Sequence, residues 1–276
     1  MQSKYQKLIK ILGKNLVRLN EPLAKYTTFK IGGPADLFFV AKNAEDLKRA
    51  VKSAKKLKTP YFILSGGSNI LVSDKGIRSL VIKNQTSKIS ISGERVEVDS
   101  GVLTSQLVKL TIDRGLAGLE NFFGLPGTVG GAVYGNAHFK GKNIREVVSK
   151  TKEFDGVILS VVFKLKPGDK KELWRTAKEA CEYRKMTQPL DFPSAGCIFE
   201  NPKFQSAGYL IEQCGLKGTR SGGAMISNKH ANFIVNTGGA SCKDVLGLIE
   251  LCQKKVKEKF GVKLEEEIIK VGDFDE

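Results

Sequence analysis

Residues 124–137 read GLPGTVGGAVYGNA. Five glycines, at 124, 127, 130, 131 and 135, fall within these fourteen positions. Glycine loses more backbone entropy on folding than any other residue, so this density needs a structural reason. A flexible linker would be polar and Gly/Ser-rich, yet Leu125, Val129, Ala132, Val133 and Tyr134 lie between the glycines. The stretch reads as a buried loop whose backbone approaches a ligand, and a phosphate-bearing cofactor is the usual ligand for such a backbone. A second loop, Ser65-Gly66-Gly67-Ser68-Asn69, follows the apolar run Tyr61-Phe62-Ile63-Leu64. Either loop alone could be a tight turn. Together they offer amides and small hydroxyls enough to grip a pyrophosphate without a formal charge partner. No GxGxxG follows a first strand and no GxxxxGK[ST] occurs, which argues against Rossmann and P-loop nucleotide sites.

Working outward, Asn43 and the early acids of AEDLKRAVKSAKKLK predict a capped helix. Residues 61–64 and 79–82 read as buried strands, KISISG and RVEVDSG as half-buried ones, and 104–114 as a helix. VILSVVFKL at 157–165 is the clearest strand, and a helix follows over 170–186. The two prolines of QPLDFP at 188–193 then mark a domain boundary. Beyond it come a helix at 207–214 stopped by Gly215, a strand at 232–236, and a helix over 241–260. That last helix has Ser241 and Asp244 as a capping box and Gly261 as its stop. The interleaving is α+β.

The 276 residues exceed one typical domain, and 41% are hydrophobic. The net charge of +16 is spread over helix faces such as Lys48, Lys52, Lys55, Lys56 and Lys254, Lys255, Lys257, Lys259. Solvated faces that attract anionic ligands fit this spread better than nucleic-acid binding does. No run approaches 18 apolar residues, and MQSKYQKLIKILGK reads as an amphipathic helix without a secretory h-region. Cysteines stand at 181, 197, 214, 242 and 252 with no CxxC pair, so a cytoplasmic, reducing setting is expected. With only His138 and His230, no metal site is expected.

Seven segments carry a resemblance: YTTFKIGGPADLFFV (26–40), ILSGGSNILVSDKGI (63–77), GLENFFGLPGTVGGAVYGNA (118–137), QPLDFPSAGCIFENP (188–202), AGYLIEQCGLKG (207–218), GGAMISNKHANFIVN (222–236) and LEEEI (264–268). In this order they resemble the UDP-N-acetylenolpyruvoylglucosamine reductase (UDP-N-acetylmuramate dehydrogenase) family, over about residues 18–272. The resemblance implies a two-lobed FAD-binding domain of the vanillyl-alcohol-oxidase (PCMH) type over 1–187, with lobes of about 1–84 and 85–187. A C-terminal α+β substrate-binding domain over 188–276 would follow. It implies non-covalent FAD, NADPH as reductant, and UDP-N-acetylglucosamine enolpyruvate as substrate. A monomer or weak oligomer with no nucleic-acid or membrane partner is expected.

Matched residue by residue, the FAD contacts would come from Leu64, Ser65, Gly66, Gly67, Ser68, Asn69, Gly127, Thr128, Gly130 and Gly131, with Thr28 and Asn136 nearby. Asn201, Lys217 and His230 would bind substrate. The family's proton-donating serine is replaced here by Cys197, in SAGCIFENP, and a thiol can also donate a proton. Glu267 matches the family's C-terminal glutamate. The family's catalytic arginine, in Tyr-Arg-x-Ser, has no clear counterpart, and the hairpin that usually precedes it is missing. Backward alignment from VILSVVFKL puts Lys150 at that place, and Arg145 is a further candidate; Arg184, in Tyr183-Arg184-Lys185-Met186 before QP, stands where the resemblance implies an arginine anyway and is not given the role. Lysine lacks the bidentate fork of arginine. Glu200 stands where a lysine is frequent. The chain resembles the shorter second class of the family, which lacks a substrate-capping tyrosine loop. Two other readings stay open: an FAD-dependent oxidase or dehydrogenase of another sugar or alcohol, and a flavin- or UDP-sugar-binding protein with impaired turnover.

Overall fold

Asn43 begins the best-formed surface helix, α2 (Ala44–Lys56), as its Oδ1 accepts the Asp46 amide at 2.8 Å. Glu45 and Asp46 lie in the first turn and Lys55 and Lys56 in the last, matching the helix dipole. Leu47, Ala50, Val51 and Ala54 recur at helical spacing and are buried, which fixes the face turned to the core. In the computed structural model, which describes residues 2–274, the chain forms two compact units. One comprises residues 1–19, 37–66 and 79–183; the other comprises 20–36, 67–78 and 184–276.

The first unit holds two apolar cores. In one, α1 (Gln2–Leu12) and α2 cover a four-stranded sheet ordered Val17–Pro22, Pro34–Ala41, Ile77–Asn84, Tyr61–Leu64. Tyr61–Leu64 runs parallel to Ile77–Asn84, with Leu64 opposite Lys83. In the other, α3 (Thr104–Asp113) and α4 (Val129–Tyr134) pack on an antiparallel sheet ordered Val148–Phe154, Val157–Lys164, Arg95–Asp99, Ile89–Ser92. Asp155 and Gly156, at φ 52° and 79°, close the outer hairpin in the two-residue turn that such a dipeptide favours. The long helix α5 (Lys170–Thr187) follows.

The second unit has one core. α6 (Ala207–Gln213) and α7 (Cys242–Phe260) pack on an antiparallel sheet ordered Ser194–Cys197, Phe233–Asn236, Ala224–Ile226, Arg220–Ser221. Ser241 and Asp244 form the expected capping box of α7, and Gly261 ends it at φ 68°. A short parallel pair, Ile70–Val72 with Ile269–Val271, ties two distant segments of this unit together. Among the described residues, no helix is long and apolar enough to cross a membrane.

Candidate active site

The glycine stretch departs from its sequence reading. Residues 129–134 form a helix, not a loop, and Tyr134 is exposed. Thr128 caps it, Val129 and Val133 bury one face four residues apart, and Arg145 donates to the carbonyls of Val133 and Tyr134 at 2.8 Å each. Arg145 is thereby engaged in closing the helix, the task a cation performs at a C-terminus. The glycines serve close packing. A β-carbon at Gly130 would lie 2.6 Å from the Ser100 side chain. One at Gly66 would lie 2.4 Å from the Cα of Gly127, itself at φ 110°.

The two loops therefore touch backbone to backbone within the first unit. Ser65 follows buried Leu64, and its hydroxyl hydrogen-bonds that of Thr128. A β-carbon at Gly131 would sit 3.4 Å from the Ser65 Oγ. Asn136 is held in the left-handed region at φ 47°, and its buried Oδ1 has no partner among the described residues. Paired hydroxyls, glycines whose β-carbons would fill the space, and a buried amide oxygen that the protein leaves unsatisfied fit a diphosphate-bearing cofactor.

In the second unit, Gly67 (φ 64°) follows the loop's first half; its carbonyl accepts the Thr28 amide at 3.0 Å and the Thr28 hydroxyl at 3.3 Å. Ser68 leads to Asn69, whose side chain donates to the Glu267 carbonyl at 3.1 Å.

Cys197 ends the strand Ser194–Cys197, paired with Phe233. The chain then pairs with the LEEEI segment: Phe199 bridges Glu266, the Glu200 amide donates to the Glu265 carbonyl at 2.9 Å, and the Glu267 amide to the Ile198 carbonyl at 2.8 Å. This register brings Glu267 beside Cys197. The neighbouring acids are occupied elsewhere, Glu265 with Lys263 at 2.9 Å and Glu266 with Lys270 at 3.0 Å. Burial, and then the Glu267 charge, push the Cys197 thiol up to about 12, against a hydrogen bond from the Asn232 side chain. The sulfur therefore keeps its proton near neutral pH. Asn232 is itself fixed by both its amide atoms, bonded to the Phe199 backbone at 2.8 and 2.9 Å. The sequence reading did not single out Asn232; its place in HANF beside His230 was the available signal.

Lys217 and His230 lie close enough to interact. The His230 pKa is lowered, first by burial and then by the Lys217 charge. Its Nδ1 accepts the Asn232 amide at 3.3 Å, and Gly208 leaves it room, since a β-carbon there would be 3.2 Å from Cε1. A neutral ring thus offers Nε2–H as a donor. Lys217 pairs with Glu212 at 2.7 Å. Asn201 accepts the first amide of α6, from Ala207, at 3.0 Å, leaving its Nδ2 to donate. Of the cations, Lys150 is exposed on the edge strand Val148–Phe154 of the first unit, opposite Val162. Arg184 is 3% exposed and belongs, like Cys197 and Glu267, to the second unit.

Residues 188–271 match the family model for the C-terminal domain of UDP-N-acetylenolpyruvoylglucosamine reductase, and residues 35–153 match an FAD binding domain. The chain is 41% identical over 285 residues to UDP-N-acetylenolpyruvoylglucosamine reductase 1 of Bacillus cereus, covering 93% of this chain and 95% of that one. The chain belongs to the UDP-N-acetylenolpyruvoylglucosamine reductase family. The family member from Alkaliphilus oremlandii is 39% identical over 297 residues, 98% of each chain. The crystal structure of the Thermus caldophilus reductase superposes with a TM-score of 0.79 at 36% identity, covering 92% of this chain and 97% of that one. The family's architecture, an FAD-binding domain followed by its own C-terminal domain, agrees with the α+β expectation.

Proposed function

We propose that the chain uses bound FAD to reduce the enolpyruvyl ether of UDP-N-acetylglucosamine to the lactyl ether of UDP-N-acetylmuramate, a step in making peptidoglycan precursors. NADPH is the reductant in this reading. Family membership supports the reaction, and the pairing of Cys197 with Glu267 is the observation in this chain that carries it. Bound FAD supplies the hydride that the vinyl carbon receives.

The chain's own residues manage the proton and the charge. Cys197 holds a proton on Sγ and delivers it to the carbon next to the one that takes the hydride, which completes the saturation of the double bond. A thiol kept protonated by its surroundings suits that donor role and not a nucleophilic one. Glu267 backs the Sγ, and Asn232 orients it. A cation must offset the negative charge that grows on the substrate's carboxylate side as hydride arrives. Lys150 occupies the matching sequence position; the burial of Arg184 in the unit that holds Cys197 and Glu267 favours it as the competing assignment. Lys217, Asn201 and the neutral His230 supply a charge and two donors of the kind a uridine diphosphate requires. We assign cofactor binding to 1–187 and substrate binding to 188–276, a division supported by the family matches at 35–153 and 188–271.

Anaerobic turnover tests the reading. NADPH should bleach the flavin, and UDP-N-acetylglucosamine enolpyruvate should restore its absorbance. Flavin that stays bleached after that substrate is added overturns the assignment.

A further inference from the structure

The Ser65 carbonyl accepts a hydrogen bond from the Nζ of Lys83, a residue outside every segment that defines the family resemblance. The parallel register explains why: Lys83 lies opposite Leu64, so its side chain reaches the residue that follows Leu64 and begins the first cofactor loop. The next residue, Asn84, is buried and serves the second loop. Its Nδ2 donates to the Ser100 hydroxyl at 2.8 Å, and the Ser100 carbonyl accepts the Gly130 amide at 2.8 Å. Two consecutive residues at the end of Ile77–Asn84 thus tie down both loops.

Lys83 differs from this chain's surface lysines in its burial: Lys229 and Lys259 also donate to backbone carbonyls, but from exposed positions, and other surface lysines pair with acids. Lys25, Lys109, Lys152 and Lys270 each meet a carboxylate. Among the described residues the Lys83 ammonium donates to a neutral carbonyl and no acid offsets its charge. Burial alone lowers its pKa. Holding a carbonyl needs only an N–H donor; an ammonium left partly desolvated without a counter-ion is a cost that a glutamine would avoid. The cost has a use where a ligand brings the opposite charge.

We infer that Lys83 is the cation of the flavin cradle, a positioning residue that fixes the Ser65 carbonyl and supplies the positive charge that draws the diphosphate of FAD. This rests on the FAD reading above, and it replaces the expectation of a cradle built without a formal charge.

The test titrates deflavinated wild-type protein, K83M and K83Q with FAD at low and high ionic strength, and melts each flavin-free protein. Both variants are expected to bind FAD about tenfold to a hundredfold more weakly at low salt, the scale of one lost charge-assisted contact. Their affinity should also vary less with salt than that of the wild type, because the screened charge is gone. Flavin-free K83M should melt no lower than the wild type. FAD affinity in K83Q within about twofold of wild type overturns the role of charge. A fall in the K83M melting temperature that K83Q restores together with FAD affinity makes Lys83 a structural prop only, and also overturns it. Wild-type protein that takes up no FAD overturns the flavin reading itself, which separates the two failures.

Discussion

The proposed cofactor cradle in the first unit and the proposed proton site in the second are built from different materials. The cradle is mostly backbone: Gly66 against Gly127, Gly130 against Ser100, and two short hydroxyl side chains. The proton site is side chains: Cys197, Glu267 and Asn232. The difference decides what each tolerates. A backbone-made site fails when a single β-carbon is added, because nothing can move aside for less than a shift of the main chain. A side-chain site tolerates chemical exchange as long as the group does the same task, and Cys197 standing at the family's serine position is such an exchange.

Gly66→Ala should be the most severe break. The added methyl meets the Cα of Gly127 at 2.4 Å, so the loops must part. The expected product is folded protein that purifies without flavin and has no turnover; a yellow, active Gly66→Ala enzyme would contradict the backbone argument. Cys197→Ala should leave flavin in place and lower turnover by about 10²–10⁴-fold, the usual worth of a general acid. Cys197→Ser should keep much of the activity, since the hydroxyl can fill the same position. Unchanged turnover in the alanine variant removes Cys197 from the mechanism and weakens the contrast between the two regions.

The same contrast explains what the sequence made legible. Glycine crowding at 124–137 marked a place of close backbone contact, because such contact leaves few other residues possible. It also disguised the helix at Val129–Tyr134: glycine is a poor helix former, and the packing that demands Gly130 comes from Ser100, far away in sequence. The capped helices α2 and α7 were legible because their signals are local. The strand Ile269–Val271 was not, being three residues long and defined only by its distant partner Ile70–Val72. Only the motif distinguishes Glu267 from Glu265 and Glu266 in the sequence; the register with 198–200 places it beside Cys197, which spacing alone does not show. Lys83 lies outside the motifs and Asn232 inside one without being singled out, because their contacts, with the Ser65 carbonyl and the Phe199 backbone, are made only by the fold.

A smaller effect concerns the missing arginine. Lys150→Ala should cut turnover about tenfold with flavin retained, a modest figure for an exposed cation that stabilises developing charge. Steady-state rates compared with those of Arg184→Ala decide the assignment. Wild-type turnover in Lys150→Ala, with a flavin-retaining but slow Arg184→Ala, moves the role to the buried guanidinium and so into the unit that holds Cys197.

The mildest prediction separates the regions by pH. Burial pushes the thiols of Cys242 and Cys252, like that of Cys197, up to about 12. All three belong to the second unit. In the unfolded chain a thiol titrates near its ordinary value of 9.0. Below that pH both states hold the proton and the contribution to stability is complete. Above it the unfolded chain releases protons that the folded unit keeps, so stability falls, and it goes on falling until the folded thiols titrate near 12. The slope is at most about 1.4 kcal/mol per pH unit for each thiol. Denaturant midpoints should therefore drop between pH 9 and 11 for the transition that exposes Cys252, read by thiol labelling. Cys252→Ala should flatten that drop at the cost of a small cavity at pH 8. An unchanged slope in Cys252→Ala would show that the alkaline loss arises outside this buried thiol.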